Sequence, residues 1–331
     1  MTMTKSQRTI IILLAAAWAT CIRAQDASTT IFNFLKLPAS SHSMALGGIQ
    51  VAMPDDDASL LLQNPALMSN IESRSINLGF LSYLQGCKSA NASFAMAAGE
   101  RGTWGVGAQL LGYGSMKELT VDGIELGDYS ALDMALSGGY SYTLTDHWAG
   151  GALGKFVYSK YGHFTSVALA VDLGLNYLND AGDFSVSAVA ANLGGQVKSF
   201  GDKRERLPFD LRIGVCKQLA NAPIRFSLSM VDLTRWSSRY YYNPTREREK
   251  GGKIFMNHFV VGVDILPMEQ FYIAAGYNFR RASELKAAGS SHAAGLSFGA
   301  GVNLKRFKVG VSYAKYHVSA PAFMVNAQYQ L

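Results

Sequence analysis

The sequence predicts an all-β protein: a transmembrane antiparallel β-barrel of about fourteen strands with an N-terminal plug segment. Three observations predict it. Charged residues are 16% of the chain, against roughly 25% in soluble domains, yet beyond residue 24 no run of about 18 apolar residues would serve as a membrane helix. Apolar and small residues instead alternate along stretch after stretch, the period of a strand. These stretches are about 10 residues long, the length of a tilted membrane strand, where soluble strands average about 5 to 6.

Residues 1–24 read as a signal peptide. Lys5 and Arg8 form a positive n-region, and Ile10 to Thr20 an apolar h-region too short to span a bilayer. Ile22-Arg23-Ala24 supplies a small residue for cleavage, which places the mature start near Gln25. Cys21 makes a poor lipoprotein site, because Trp18 stands where a lipobox has Leu and the bulky Ile22 follows. Losing Lys5, Arg8 and Arg23 lowers the formal charge from +6 to +3, and so mild a basicity gives nucleic-acid binding no support. The mature cysteines, Cys87 and Cys216, make neither a disulfide framework nor a zinc site; a single bridge is compatible with export, but two idle thiols is the simpler reading.

Residues 25–72 are apolar without strand period and read as a segment filling the barrel, since about fourteen strands enclose more space than their own side chains fill. Phe32, Phe34, Leu35 and Leu37 lead to Pro38. Ser40 to Leu46 predicts a short helix stopped by Gly47-Gly48. A second helix is expected from Asp55-Asp56-Asp57, whose carboxylates cap Ala58 to Gln63, and Pro65 ends or bends it. Three adjacent acids rarely converge on one ion, so capping is preferred over a calcium site.

Residues 73–331 form the barrel. Strands are expected near 74–83, 88–98, 102–113, 130–143, 147–159, 164–178, 182–193, 207–218, 223–233, 254–266, 270–280, 292–304, 306–316 and 321–331. In the last, Phe323, Val325, Ala327, Tyr329 and Leu331 alternate with Met324, Asn326, Gln328 and Gln330. A soluble sandwich would alternate too, but its second face would carry Lys, Glu, Arg and Thr for water. Here that face carries Gly, Ala, Ser and Asn, which suit a crowded lumen. Tight connections alternate along the chain with a set that includes the longer 114–129, 194–206, 234–253 and 281–291, as periplasmic turns alternate with outer loops. Tyr83, Tyr113, Tyr140, Tyr142, Trp148, Tyr158, Trp236 and Tyr316 fall near strand ends, where aromatic girdles sit. The location read from all this is the bacterial outer membrane.

No catalytic constellation is present: the six histidines are scattered, and there is neither HExxH nor GxSxG. No metal site and no cofactor are expected. On the lumen face Asp133, Asp172 and Asp264 share the interior with Arg212, Arg225 and Arg280, and are read as paired charges that hold the plug. The candidate partner-binding loop is 234–253, with Arg235, Trp236, Arg239, Tyr240, Tyr241, Tyr242, Arg246 and Arg248. Aromatic and Arg residues are enriched at binding hot spots, and the cations also suit lipopolysaccharide phosphates.

Asp57-Ala58-Ser59 followed by Asn64-Pro65-Ala66 resembles the N-terminal hatch of the FadL-like barrels, which transport hydrophobic molecules. The fuller run of Phe34-Leu35-Lys36-Leu37-Pro38, Ala45-Leu46-Gly47-Gly48, Asp57 and Asn64-Pro65-Ala66 resembles more closely the PorV/PorQ branch of that superfamily, and within it the PorQ-like barrels. The resemblance implies a part in the type IX secretion system, anchoring the cell-surface cargo attachment complex, with PorZ, PorU and PorV-like proteins as partners. The alternative it implies is a FadL-like transporter of hydrophobic small molecules. The chain departs from the usual aromatic last residue of outer-membrane barrels, ending Tyr329-Gln330-Leu331, though Leu331 keeps the apolar phase.

Overall fold

The structure, a computed structural model, describes residues 30–71, 74–84, 86–119, 125–238, 240–241, 251–268, 270–285, 293–316 and 321–331. Residues 1–24, expected to be a signal peptide, lie outside the described residues. Fourteen strands form one closed antiparallel barrel: β1 Ser75–Leu84, β2 Cys87–Ala98, β3 Gly102–Leu119, β4 Glu125–Thr143, β5 Trp148–Tyr161, β6 Phe164–Leu178, β7 Phe184–Lys198, β8 Asp210–Gln218, β9 Ile224–Met230, β10 Phe259–Met268, β11 Phe271–Asn278, β12 Leu296–Asn303, β13 Phe307–Lys315 and β14 Pro321–Gln330. Each strand pairs with its sequence neighbours, and β1 closes on β14 with Ser75 opposite Gln330 and Ser82 opposite Phe323.

The two faces settle which alternation this is. Phe323 and Val325 are 53% and 48% exposed, whereas Met324 between them is at 0%. Apolar side chains face outward and small or polar ones inward, the reverse of a soluble sandwich. Leu169, Val171 and Leu173 on β6 and Phe307, Val309 and Val311 on β13 are likewise exposed. No helix is long and apolar enough to cross a membrane among the described residues; the strands form the apolar belt.

Several boundaries differ from expectation, each for a physical reason. The loop expected at 114–129 is largely strand: β3 and β4 continue past a register shift between Gly112 and Ser115, where Gly114 has φ +78°. Beyond the belt a hairpin needs no apolar face, so its residues carry no period-two signal. β7 runs to Lys198 because an irregularity opposite Val171/Leu173 resets its phase; Asn192 there has φ +59° and its N–H donates to Asp172 Oδ1 at 2.7 Å. β9 is shorter than expected, and a helix, Gly251–Met256, precedes β10. β11 stops at Asn278, whose side chain accepts from Arg281 N and caps the helix Phe279–Glu284.

The N-terminal segment forms short capped turns. Ser40 caps Ser41–Ala45 in a capping box, and Gly47 and Gly48 follow at φ +103°. Asp57 alone of the acidic triplet is a cap, accepting from Ser59 N ahead of the 3-10 turn Ala58–Leu62. Asn64 caps the next turn, Pro65–Asn70, with Pro65 at its first position. The segment lies on the inward face of the wall. A Cβ on Gly276 would fall 2.3 Å from Leu46 C and from Gly47 N, and one on Gly151 would fall 2.5 Å from Pro65 C. Inward-facing glycines therefore admit backbone where side chains would not fit.

Candidate functional site

Two ion-pair clusters bind the N-terminal segment to the wall. In the first, His42 Nε2 lies 2.7 Å from Asp264 Oδ1 and Nδ1 lies 3.3 Å from Asp55 Oδ2. Arg225 Nε donates to Asp264 Oδ2 at 2.8 Å, and Arg225 also pairs with Asp55. Tyr272 stacks on the imidazole at 4.0 Å between ring centroids. Burial opposes a charged imidazole here, but the Asp264 and Asp55 carboxylates outweigh it and push the His42 pKa up to about 9. Burial likewise opposes a charged Asp55, yet Arg225 and His42 hold its carboxyl well below the ordinary range.

In the second cluster, near the long loops, Lys36 Nζ donates to Asp232 Oδ1 at 2.7 Å. Arg280 Nη1 donates to Asp232 Oδ2 at 2.6 Å and to Tyr240 Oη at 2.7 Å. The Asp232 N–H donates to Asp210 Oδ1 at 2.7 Å, and Asp210 also pairs with Arg212 at 2.6 Å. The cations around Asp232 hold its carboxyl low against the cost of burial. One carboxylate thus ties together the segment, the connection after β9 and the helix after β11.

The expected lumen charges are partly rearranged. Asp264 does meet Arg225, but Asp172 pairs with Lys155 at 2.6 Å. Asp133 accepts from Tyr113 at 2.6 Å and Tyr161 at 3.0 Å, with Ser159 as a further donor and no cation among the described residues. Arg280 sits on the helix after β11 rather than on a lumen strand. Tyr83, Tyr113 and Tyr316 also turn inward, packing against the segment instead of joining a girdle, while Tyr140, Tyr142 and Trp148 are exposed.

The motif residues come together inside the barrel. Ala45, Leu46, Asn64 and Ala66 are all at 0% exposure. Asn64 Nδ2 donates to Val51 O at 2.7 Å while its Oδ1 accepts from Ala66 N, so one side chain clamps two parts of the segment. Asp57 also accepts from Asn77 on β1. Asp56 meets Lys308 and Gln330. A cavity of about 200 Å³ in this region is lined by polar groups, among them His42, Asp55, Asp56, Asp57, Lys308 and Asn326.

The candidate loop 234–253 divides. Arg235, Tyr240 and Tyr241 are buried: Arg235 donates to Phe209 O at 3.0 Å, Tyr240 to Asp232, and Tyr241 to Arg235 O. They are therefore the loop's own core rather than a free face. Trp236 is 49% exposed, its indole N–H donating to Leu233 O. Arg239, Tyr242, Arg246 and Arg248 lie outside the described residues. Cys87 and Cys216 are both free thiols, Cys216 buried. Among the described residues no cluster of His, Cys, Asp or Glu is arranged to hold a metal ion.

Sequence reasoning gave no ion-pair role to Lys36, His42, Asp210 and Asp232, and it read Asp55 as a helix cap where the structure pairs it with His42 and Arg225. A signal for two of them was present: Lys36 and His42 are the ionisable side chains of an otherwise uncharged stretch, 30–54, and a charge in such a stretch needs a partner from the wall.

No family model matches the sequence, and no curated protein matches it. Solved structures do. The toluene transporter TodX of Pseudomonas putida aligns over 92% of this chain and 98% of its own at TM-score 0.56 and 13% identity. The chain shares the fold of the FadL-like outer-membrane barrels. The CymD monoaromatic hydrocarbon channel aligns over 89% and 98% at TM-score 0.58 and 12% identity. A Pseudomonas aeruginosa FadL homologue aligns over 88% and 98% at 0.51 and 10%. These FadL-like relatives in fold are transporters and channels rather than enzymes, and a closed barrel of this kind resides in the outer membrane.

The His42 cluster predicts a pH window. The His42 contribution is complete below the unfolded value of 6.5 and is lost as pH rises through about 9. The Asp55 contribution is present above 3.8 and is lost as pH falls below that. Hydrogen exchange of the peptide covering 41–52, corrected for intrinsic rates, is expected to be slow at pH 7 and markedly faster at pH 10. Equal protection at both values would remove the electrostatic account of how the segment is held.

Proposed function

We propose that this chain is an outer-membrane component of the type IX secretion system that anchors the cell-surface cargo attachment complex. On this reading residues 1–24 are removed on export, residues 25–72 plug the lumen, and the outer loops carry the docking surface for PorZ, PorU or PorV-like partners. The observation that supports it is that the motif residues behind the PorV/PorQ resemblance, Ala45, Leu46, Gly47, Gly48, Asn64 and Ala66, are buried against the inner wall, backed by buried ion pairs and beside a polar cavity. A lumen occupied in this way is compatible with an anchor that passes nothing, although the hatch alone, which resembles that of transporting barrels, is neutral between the two readings.

The second reading is a FadL-like transporter of hydrophobic small molecules, and the comparisons favour it over the first: TodX is a toluene transporter and CymD a monoaromatic hydrocarbon channel. It requires the segment to move and an apolar path to open. Deleting the gene separates the two. The anchor reading expects cargo to appear in the medium instead of on the cell, with uptake of fatty acids and aromatic hydrocarbons unchanged. Normal surface retention with impaired uptake would establish the transporter in its place. Pull-down from detergent-solubilised outer membranes would identify the partner.

A further inference from the structure

The outward side chains of β4 to β7 form rows across the wall. Near the ends of β5 and β6 on the long-loop side, Leu132 stands opposite Lys160, and Lys160 opposite Thr165. One row nearer the middle of the membrane, Met134, Tyr158 and Val167 follow, with Lys198 opposite Val167. Lys198 Nζ donates to Thr165 Oγ1 at 2.6 Å, which leaves the hydroxyl hydrogen to point elsewhere. Two lysines thus flank a hydroxyl at the outer edge of the apolar belt, and among the described residues neither lysine meets a carboxylate. Below them the same strands carry a shallow, open groove lined by Leu136, Gly138, Gly154, Phe156, Leu169 and Val171. Gly138 and Gly154 are cross-strand partners, and their missing side chains make the trough.

We propose that this face binds one phosphorylated, acylated glycolipid of the outer leaflet. Lys160, Lys198 and the Thr165 hydroxyl would hold a phosphate, and the trough would hold an acyl chain. Charge complementarity supports the head site, because a phosphate oxygen accepts from all three donors. The spacing supports the pairing of head with tail. Gly154 and Lys160 lie six residues apart on β5, roughly 20 Å along a strand at about 3.3 Å per residue. With a tilt of about 45° that is close to half of the ~30 Å hydrocarbon core, the depth of one leaflet. Lys160 also borders a cavity that holds Lys117 and Asp128; Lys117 is already paired there with Glu125 at 2.6 Å, so the phosphate is placed on the Thr165 side of Lys160, where Lys198 adds a second cation and no carboxylate is in contact among the described residues.

The test uses the full-length barrel, delipidated in detergent, with purified lipopolysaccharide as the probe and native mass spectrometry as the readout. Saturable one-to-one binding is expected. The Lys160→Gln/Lys198→Gln double variant should bind about tenfold more weakly, the loss of charged hydrogen bonds, and the Lys160→Arg/Lys198→Arg variant should bind as the wild type does. Lys305→Gln, in the turn at the opposite end, should change nothing. Dephosphorylated lipopolysaccharide should bind wild type as weakly as intact lipopolysaccharide binds the Gln variant, and Gly154→Leu should weaken binding by filling the trough. Undiminished binding by the folded Gln variant overturns the proposal, as does equal binding of the dephosphorylated lipid or of phosphatidylglycerol. Should the Gln variant lose the heat-modifiable gel mobility of a folded barrel, the dephosphorylated and Arg arms decide the matter alone.

Discussion

Replacing Asp264 with Ala is expected to free the N-terminal segment from the wall while leaving the barrel intact. Asp264 is 1% exposed and is the carboxylate shared by His42 and Arg225. Its loss leaves two buried cations facing Asp55, whose side chain is 28% exposed and better solvated. Removing one partner from a buried charge network costs about 3–5 kcal/mol, most of it the cost of the charge left behind. The strand ladder does not share that loss, because β10 pairs with β9 and β11 through backbone groups at Asp264 as elsewhere. The cost therefore falls on the contact between segment and wall. Heat-modifiable gel mobility should persist, protection of residues 41–57 from hydrogen exchange should collapse, and conductance in planar bilayers should rise. Asp264→Asn, which keeps an acceptor of the same shape, should show a smaller effect in the same direction. A Asp264→Ala barrel with wild-type protection would mean that packing rather than charge holds the segment.

The barrel was legible because a membrane wall imposes one rule on every strand. Phe323 to Leu331 had to alternate, and so had Phe307 to Tyr313, so the strand count could be read without any tertiary information. Legibility failed where the rule lapses: the β3–β4 hairpin above the belt, the phase reset at Asn192, and the helices Gly251–Met256 and Phe279–Glu284 in the outer connections. The segment's caps were readable, since Ser40 and Asp57 act within a few residues of themselves. Its moorings were not. The separation from Lys36 to Asp232 is 196 residues and from His42 to Asp264 is 222, and nothing local marks which wall residue a lone charge will meet. Within the loop 234–253 the buried share of Arg235, Tyr240 and Tyr241 was not readable, for a related reason. Arg and Tyr side chains serve a loop's own packing as readily as a partner's, and Tyr240 stacks beneath both Arg235 and Arg280.

Gly276→Val is expected to have the second large effect, and it bears on function more directly. A Cβ at Gly276 meets Leu46 C and Gly47 N at 2.3 Å and Ala45 O at 2.6 Å. All three are backbone atoms of the motif, so no side chain can swing aside. Overpacking a filled interior typically costs about 1–3 kcal/mol, and more where backbone must give way. The segment must retreat from β11, whereas Gly195→Val, with open space around its Cβ, should leave the barrel as it was. The expected result is a conducting barrel with normal gel mobility. What the cell then does distinguishes the two functions. An anchor whose outer loops dock partners should keep cargo on the surface while the lumen leaks, because Trp236 and its neighbours are positioned by Asp232, Phe209 and His258 rather than by Gly47. A transporter should instead lose control of solute passage at the site where control resides. Leakage with cargo retained, in a strain background where outright gene deletion releases the cargo, supports the anchor; altered hydrocarbon uptake with cargo unaffected by outright gene deletion supports the channel; and a barrel that stays closed would show that the contact at Gly276 yields more easily than its backbone neighbours imply.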